Sequence, residues 1–241
     1  MSGCVGSGRG DERMRALVTG VTGNVGRATT KLLLANGWEV VGAARHVDRD
    51  SGYDARAVDL ADPDEISQFI PRQKFDLVVM AQGTQHGVMI GDRAFESWYL
   101  EIIDNNLTSA VHLTNHLIFN ELLNPGALIV YCSSIHATQP RAGRTPYAIA
   151  KSGLEALVRG VAVECAPEVR AIGLRLGQLD FTMKGIVFSP EQLKSITDKL
   201  LLPPVRCENI ARFCLELYHQ TEMTGCILDM DSGHSLNIWA G

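Results

Sequence analysis

The chain has 241 residues, a formal net charge of −5 and a mean hydropathy of +0.04. This length favours one large domain over two small ones, and we expect residues 14–241 to form it behind a flexible leader, residues 1–13. The negative charge argues against a nucleic-acid or anionic-membrane partner. No apolar run approaches the ~18 residues of a membrane helix, and the leader lacks a secretory signal's apolar core. The six cysteines show no paired metal spacing, so we expect reduced thiols, no metal site and a cytoplasmic protein.

Short apolar runs alternate along the chain with helical patterns, which is typical of a parallel sheet built from βαβ units. The predicted strands are Ala16–Thr19, Glu39–Ala43, Ala55–Val58, Leu77–Met80, Ala127–Tyr131, Ala171–Leu176 and Cys226–Asp229. The predicted helices are Val25–Ala35, Asp64–Ile70, Phe95–Leu123, Pro146–Cys165, Glu208–His219 and a short one at Pro190–Leu201. Because most strands are apolar throughout, both faces of the sheet should be covered by helices. The pattern therefore predicts an α/β fold: a doubly wound, Rossmann-type parallel sheet of about seven strands.

The first predicted strand runs into a glycine-rich turn that opens the first helix. Glycines let the backbone turn tightly and approach a pyrophosphate, and a helix N-terminus offers free N–H groups. An ordinary glycine-rich turn is the alternative, but the place of this turn in the first βα unit favours dinucleotide binding. The residues expected to contact the dinucleotide here are Gly20, Thr22, Gly23, Asn24, Val25 and Gly26.

The end of the second strand indicates which dinucleotide is bound. A site specific for NAD usually places an acidic residue there, whereas an arginine suits the 2′-phosphate of NADP. This chain reads Ala44-Arg45-His46 and has no carboxylate at that point. Arg45 either contacts the 2′-phosphate or is a solvated surface side chain. We predict the contact, and therefore NADP as the cofactor with NAD as the alternative.

A serine, a tyrosine and a lysine follow in order around the fifth strand. Ser134 ends that strand, and Tyr147 and Lys151 lie four residues apart near the start of the next helix, so they share one helix face. A tyrosine has a pKa of ~10, and we expect the neighbouring ammonium to draw it toward neutrality, giving an acid/base that suits an alcohol. The Ser134 hydroxyl would bind the substrate oxygen as charge develops on it. A tyrosine–lysine pair alone is commonplace, but its place after the glycine turn and the serine predicts hydride-transfer chemistry.

With these motifs in register, the chain resembles the short-chain dehydrogenase/reductase family, in its short single-domain branch, from about Arg15 to Ser235. The resemblance implies a single dinucleotide-binding catalytic domain with Tyr147 as the acid/base, tuned by Lys151, which also holds the nicotinamide ribose. It implies that Ser134 orients the carbonyl and that Asn106 supports a water feeding protons to Lys151. Further cofactor contacts implied by it are Asp59, Leu60, Gln82, Gly83 and Gly177.

Three segments depart from the family pattern. The glycine spacing TGxxGxxG resembles that of the extended branch, which includes sugar-nucleotide epimerases and dehydratases. After the fourth strand, Met80-Ala81-Gln82-Gly83 replaces Asn-Asn-Ala-Gly, so we expect altered packing between sheet and helix there. After the sixth strand, Leu176-Gly177 replaces Pro-Gly where the chain passes the nicotinamide. None of these changes removes a catalytic group.

The predicted function is that of an NADP(H)-preferring oxidoreductase that interconverts a small-molecule ketone and a secondary alcohol. An epimerase or dehydratase using a bound cofactor is one alternative, weakened because extended members carry a larger C-terminal substrate domain. A non-enzymatic nucleotide sensor is the other, weakened because the tyrosine and the lysine are both present. The resemblance also implies a homodimer or homotetramer, paired through the helices at 95–123 and 146–165. The small residues expected at that contact are Ala148, Gly153, Ala156 and Gly160.

The sequence says less about the substrate than about the fold or the cofactor. Polar side chains from loops at the carboxyl edge of the sheet are candidates, although each is equally well read as a solvated loop residue: Gln82, His86, His136, Arg141, Arg144, Gln178 and Lys184. Of these, His136, Arg144 and Gln178 are predicted to contact substrate, and the set favours a polar, anionic substrate over a lipid. The segment Phe181–Leu202, between hinges at Gly177 and Pro203-Pro204, is predicted to be a mobile lid; a permanently packed connection is the alternative.

Overall fold

The computed structural model describes residues 13–47, 51–180 and 189–239. Seven parallel strands within them form one sheet in the order β3-β2-β1-β4-β5-β6-β7. The strands are β1 Arg15–Thr19, β2 Glu39–Ala44, β3 Asp54–Ala57, β4 Phe75–Met80, β5 Leu123–Ser134, β6 Val169–Leu176 and β7 Ile227–Met230. The order reverses between β1 and β4, so the connections leave a crevice there at the carboxyl ends of the strands. The predicted doubly wound α/β sheet is confirmed.

Helices lie on both faces of this sheet. The α-helices of the described residues are α1 Asn24–Ala35, α2 Pro63–Phe69, α3 Phe95–Ile103, α4 Ser109–Phe119, α5 Thr145–Cys165, α6 Pro190–Thr197 and α7 Cys207–His219. Leu17 of β1 packs in the core beneath α4 and α5, while its neighbours Ala16 and Val18 pack in the core beneath α1 and α7. Because both sides of each inner strand are buried, the strand sequences are apolar without alternation. None of the helices in the described residues is long and apolar enough to cross a membrane.

The helix predicted over Phe95–Leu123 is confirmed over Phe95–Phe119, where it contains a π-helical turn, and is wrong over its last residues. The structure has α3, a π-helical turn at Asp104–Thr108 and then α4, which ends at Phe119, while Leu123 already belongs to β5. At the π turn, the side-chain amides of Asn105 and Asn106 donate to carbonyls one turn earlier, each at 2.8 Å. Such bonds compete with the regular backbone ladder, and π turns occur often at functional sites.

The small residues expected at a subunit contact divide into two pairs. Ala148 is buried within its own protomer, and a Cβ added to Gly153 would lie 2.7 Å from Leu107, so both positions pack inside the chain. Ala156 is exposed, and a Cβ at Gly160 would meet nothing within 4 Å. The π turn and α3 pack against that side of α5, so Ala148 and Gly153 have neighbours in their own chain, and their place at a subunit contact stays a prediction.

A network of ionic hydrogen bonds fixes α5 against the sheet. The buried Glu155 carboxylate accepts from Ser133 Oγ at 2.8 Å and from Arg175 Nε and Nη2 at 3.0 and 2.8 Å. Arg175 Nη1 also donates to Asp229 at 2.8 Å. These bonds join α5 to β5, β6 and β7, and they hold the helix that carries Tyr147 and Lys151.

Candidate active site

A cleft of about 950 Å³ follows the carboxyl ends of the strands from the glycine turn to the start of α5. This volume lies in the range of ligand and cofactor sites. The residues singled out in the sequence that line it are Gly20, Thr22, Gly23, Asn24, Val25, Arg45, Asp59, Leu60, Gln82, Gly83, Ser134, His136, Arg141, Arg144, Tyr147, Lys151, Gly177 and Gln178. The sheet therefore brings side chains from both halves of the chain into one cleft.

The glycine turn has the geometry of an anion cradle. Gly20 has a φ of +64°, and a Cβ there would lie 2.7 Å from the Ala81 carbonyl oxygen. A Cβ on Gly26 would lie 2.3 Å from the Gly20 carbonyl oxygen, so Gly26 lets α1 pack on the turn and does not itself line the cleft. Gly23 caps α1 without a side-chain hydrogen bond, and no acidic residue lies in the first helical turn. The N–H groups and the positive dipole end of α1 are thus available to a phosphate.

The end of the cleft beside the glycine turn, here called its outer end, carries two exposed arginines: Arg45 after β2 and Arg27 in α1. Arg27 was not among the residues predicted from the sequence, although its position directly after Gly26 was a usable signal. The carboxylate of Asp59 is engaged locally, since its Oδ1 accepts from the Ala61 N–H at 2.9 Å. Together with the glycine turn, these residues fit the charge and shape of a phosphorylated dinucleotide.

Gln82 has mainly a bracing role. Its side-chain oxygen accepts from Thr19 Oγ1, and its Nε2 donates to Ser109 Oγ at 3.2 Å. The side chain thus connects the end of β1 to the start of α4. Gln82 still borders the cleft.

Ser134, Tyr147 and Lys151 meet on the inner wall of the cleft. All three are buried, at 7%, 7% and 3% exposure respectively. The Lys151 ammonium donates to the Cys132 carbonyl at 2.9 Å and lies 5.5 Å from the centre of the Tyr147 ring. The Ser134 hydroxyl lies close enough to Tyr147 to act on its proton equilibrium and favours a lower pKa of the phenol. The strand end and the first turns of α5 therefore hold the three side chains in contact.

Burial dominates the proton equilibria of this trio. It raises the pKa of Tyr147 to about 12, although the Ser134 hydroxyl and the Arg144 charge act in the opposite direction. It lowers the pKa of Lys151 to about 8. The expected lowering of the tyrosine pKa by Lys151 is therefore wrong for this structure. The Lys151 ammonium donates to a backbone carbonyl instead. The free energy lost when the phenolate is removed from water exceeds the electrostatic stabilisation by nearby cations, so the pKa rises.

Asn106 lies in the π turn behind the wall of the cleft and is 1% exposed. Its Nδ2 donates to the Thr84 and Ile102 carbonyls, both at 2.8 Å, while its Oδ1 accepts no hydrogen bond from any described residue. A Cβ on Gly83 would lie 2.6 Å from that oxygen and 3.6 Å from Lys151 Nζ. The glycine thus keeps open a small gap between the asparagine and the lysine.

The inner end of the cleft, beside Tyr147, is lined by His136, Arg141, Arg144, Gln178 and a residue not predicted from the sequence, His234. Its one signal was the preceding Asp231-Ser232-Gly233 turn, which carries it from the end of β7 to the cleft. His136 hydrogen-bonds the Gln139 carbonyl through Nδ1 at 3.2 Å and meets the Tyr147 ring edge-on, with centroids 6.1 Å apart. Gln178 donates to the adjacent Leu179 carbonyl at 2.9 Å.

His86 does not reach the cleft, which corrects its place among the substrate candidates. Its ring stacks on Trp98 with centroids 3.9 Å apart, and its Nε2 lies 3.5 Å from a Glu101 carboxylate oxygen. The loop after β4 turns the ring toward α3, and stacking holds it there.

The predicted lid falls partly outside the described residues. Residues 181–188, including Lys184, are not described. Of the remainder, Ile196 of α6 lines the cleft. The N–H groups of Leu201 and Leu202 donate to the Ser232 carbonyl at 2.9 and 3.2 Å, and Ser232 Oγ donates to the Pro203 carbonyl at 2.7 Å. The far end of the segment is thus tied to the turn after β7.

Comparison with known proteins places these features in context. The family model for short chain dehydrogenase matches residues 14–191. The chain is 26% identical over 238 residues to an uncharacterized oxidoreductase of Bacillus subtilis (strain 168), covering 90% of this chain and 97% of that protein. It is 26% identical over 227 residues to a probable NADP-dependent dehydrogenase of Haemophilus influenzae, covering 86% and 88%. The crystal structure of a short chain dehydrogenase family protein from Francisella tularensis matches with a TM-score of 0.83 at 21% identity, covering 93% of this chain and 100% of that one.

Proposed function

The chain belongs to the short-chain dehydrogenase/reductase family, and we propose that it is an NADP(H)-preferring oxidoreductase that interconverts a ketone and a secondary alcohol. The observation that carries the proposal is the contact of Ser134, Tyr147 and Lys151 on one wall of a cleft whose other end is the glycine turn. A hydroxyl, a phenol and an ammonium at that place supply the groups that carbonyl reduction requires.

NADP(H), once bound, supplies or accepts the hydride. In the reducing direction, the Ser134 hydroxyl donates a hydrogen bond to the substrate carbonyl oxygen, which gains negative charge as the carbon becomes tetrahedral. Tyr147 then gives its phenolic proton to that oxygen. Because burial raises its pKa to about 12, the phenol stays protonated at neutral pH and ready to donate. In this proposal Lys151, whose pKa burial lowers to about 8, returns a proton to the tyrosine and holds the ribose.

The arginines at the outer end of the cleft support NADP. Arg45 stands where a carboxylate would bond the 2′-hydroxyl of NAD, and Arg27 adds a second positive charge. Guanidinium groups bind phosphate through paired, charge-assisted hydrogen bonds. The relative in Haemophilus influenzae that is named as NADP-dependent agrees with this preference.

The test is a panel of ketones and secondary alcohols offered to the purified protein with NADPH, NADH or their oxidised forms, followed by nicotinamide absorbance. We expect turnover of at least one carbonyl class, faster with the phosphorylated cofactor. Tight binding of either cofactor without turnover of any member of a broad panel would instead favour a nucleotide-sensing role.

A further inference from the structure

The charge of the cleft is opposite to that of the whole protein. Although the chain carries a net −5, the described lining of the cleft has five cationic side chains and one carboxylate, Asp59. The cations are Arg27, Arg45, Arg141, Arg144 and Lys151. The first two and Asp59 lie at the outer end, so the described wall around Tyr147 carries cations and histidines without any carboxylate.

We propose that Arg141 and Arg144, with His234, form a subsite for a carboxylate carried by the substrate, which makes the substrate an oxo acid or the corresponding hydroxy acid. This inference rests on the proposed function, because it places the carboxylate beside the carbonyl that Ser134 and Tyr147 bind.

Both guanidinium groups are held in place by neutral partners. Arg141 Nη2 hydrogen-bonds His234 Nε2, so that nitrogen is unprotonated. Arg144 Nε and Nη1 lie 2.8 and 3.1 Å from the Gln85 side-chain oxygen once that amide is oriented to accept. Neither arginine forms an ion pair within the described part of the chain, in contrast to Arg175 with its two carboxylates. The two groups are therefore positioned but not neutralised.

His234 is itself positioned by a tight turn. The Asp231 carboxylate accepts from the Gly233 and Ser235 N–H groups at 2.9 and 2.8 Å, and the ring is 6% exposed. Its Nδ1 has no partner among the described residues. A buried, fixed imidazole that accepts from Arg141 orients the guanidinium without cancelling its charge.

The two guanidinium groups are partly withdrawn from water, so their positive charges lose solvation free energy. A bound anion would offset that loss. Burial lowers the pKa of both Arg141 and Arg144, and the mutual repulsion of the two cations adds to the effect at Arg144. A carboxylate between them would regain the lost solvation through paired hydrogen bonds that match the planar guanidinium fork.

The position of Arg144 limits the distance between the carboxylate and the reacting carbon. Arg144 is the residue that precedes α5, three residues before Tyr147, and its charge acts on the tyrosine hydroxyl. Short oxo acids, in which the carbonyl and the carboxylate are separated by few carbons, fit this arrangement better than long-chain ketones.

The experiment measures kcat/KM with NADPH for 2-oxobutanoate, acetoacetate and levulinate, each beside its methyl ester, and for dihydroxyacetone phosphate as the phosphate arm. We expect at least one acid to exceed its ester by about 10-fold or more, the size of a lost charge-assisted hydrogen bond. Arg141→Gln and Arg144→Gln should each reduce that acid-to-ester ratio by about 10- to 100-fold. Arg159→Gln, on the exposed far side of α5, is the matched control.

Calorimetry measures binding of the same acids and esters to the protein–NADPH complex. This measurement separates the proposed oxidoreductase function from the proposed carboxylate subsite. If no carbonyl is reduced but the acids bind and the Arg144→Gln variant loses them, the oxidoreductase proposal fails and the anion subsite stands. If carbonyls are reduced and acids show no preference over esters in either assay, the function stands and the subsite is overturned. A preference for dihydroxyacetone phosphate over every acid would overturn the carboxylate as its ligand.

Discussion

At the residue scale, burial controls the proposed chemistry more than the proximity of charges does. Tyr147 and Lys151 are both withdrawn from water, and in each case burial disfavours the charged form. The result is a phenol that keeps its proton and an ammonium that releases one readily. Ser134, beside the phenol, completes a proposed site suited to donating a proton to a carbonyl oxygen.

Replacing Tyr147 by Phe should remove the proton donor while leaving the cleft intact. We expect kcat to fall by roughly 10²- to 10⁴-fold, the usual contribution of general acid/base catalysis, with NADPH affinity nearly unchanged. Stopped-flow hydride transfer and a cofactor titration measure the two quantities. Tyr99→Phe, which lies outside the lining of the cleft, is the control. A Tyr147→Phe enzyme with most of its activity would falsify the assignment.

The substitution Arg45→Ala should reduce the difference in binding affinity between NADP and NAD. Loss of a charge-assisted contact to the 2′-phosphate is expected to weaken NADPH binding by roughly 10- to 150-fold and to leave NADH binding within a few-fold. Fluorescence titration of both cofactors decides the point, with the exposed Arg212→Ala on α7 as the matched variant. An equal loss for the two cofactors would mean that Arg45 does not read the phosphate.

The buried lysine should make stability depend on pH. The pKa of Lys151 is about 8 in the folded protein against 10.5 when it is unfolded, so the unfolded chain holds more protons between these values. The free energy of unfolding should therefore gain about 3 kcal/mol from this group as pH rises from 8 to 10.5. Lys151→Met removes this gain. In urea unfolding at several pH values, the free energy of unfolding of the wild type should therefore rise relative to that of the variant as pH increases. Lys194→Met, at an exposed lysine, is the control; a constant difference between wild type and Lys151→Met would contradict the buried, charge-penalised position.

At the scale of elements, α5 and the π turn determine where the site lies. α5 carries Tyr147 and Lys151 at its start and is clamped to the sheet by Glu155 one turn further on. The π turn turns Asn106 inward, behind Gly83. Both elements thus hold side chains of the proposed site by contacts that lie outside the cleft.

Glu155→Gln should destabilise the protein strongly for a single-atom change. The variant leaves the largely buried Arg175 without its main partner, and we expect a loss of about 3 kcal/mol in the free energy of unfolding. Asp198→Asn breaks an exposed pair with Lys194 and should cost below about 0.5 kcal/mol. Denaturant unfolding of both variants makes the comparison. Similar losses in the two would show that the buried network contributes no more than a surface pair.

At the scale of the whole molecule, one face of α5 is left uncovered by the described chain. Ile149 and Val163 are 46% and 85% exposed, and they share a helical face with Ala156 and Gly160. Apolar side chains interleaved with small residues allow two helices to approach closely. We propose that a second copy of the chain covers this face.

Light scattering at micromolar concentration should therefore give a homodimer or a homotetramer. Gly160→Leu should reduce the assembled mass while the circular dichroism of the protomer is kept, because an added Cβ meets nothing within 4 Å in its own chain. Gly160→Ala is the conservative comparison. A wild-type monomer under these conditions contradicts the proposed pairing.

The sequence by itself determined the strand and helix pattern, the family and the order of the site motifs. These follow from local rules: apolar runs specify buried strands, glycines specify the turn, and a four-residue spacing places Tyr147 beside Lys151 on α5. The family and the doubly wound sheet are confirmed on this basis, whereas the pairing of specific side chains across the cleft is not a local property.

The tertiary structure alone decided which loop residues meet. His234 reaches Arg141 from a segment 93 positions away along the chain, while His86, close to the cleft in sequence, stacks on Trp98 instead. The π turn between α3 and α4 contains asparagine side chains that compete with the backbone. The sign of the Tyr147 pKa shift depended on burial, which no spacing of residues reveals. Each of these outcomes arises from contacts between distant segments, so they became visible only once the sheet had brought those segments together.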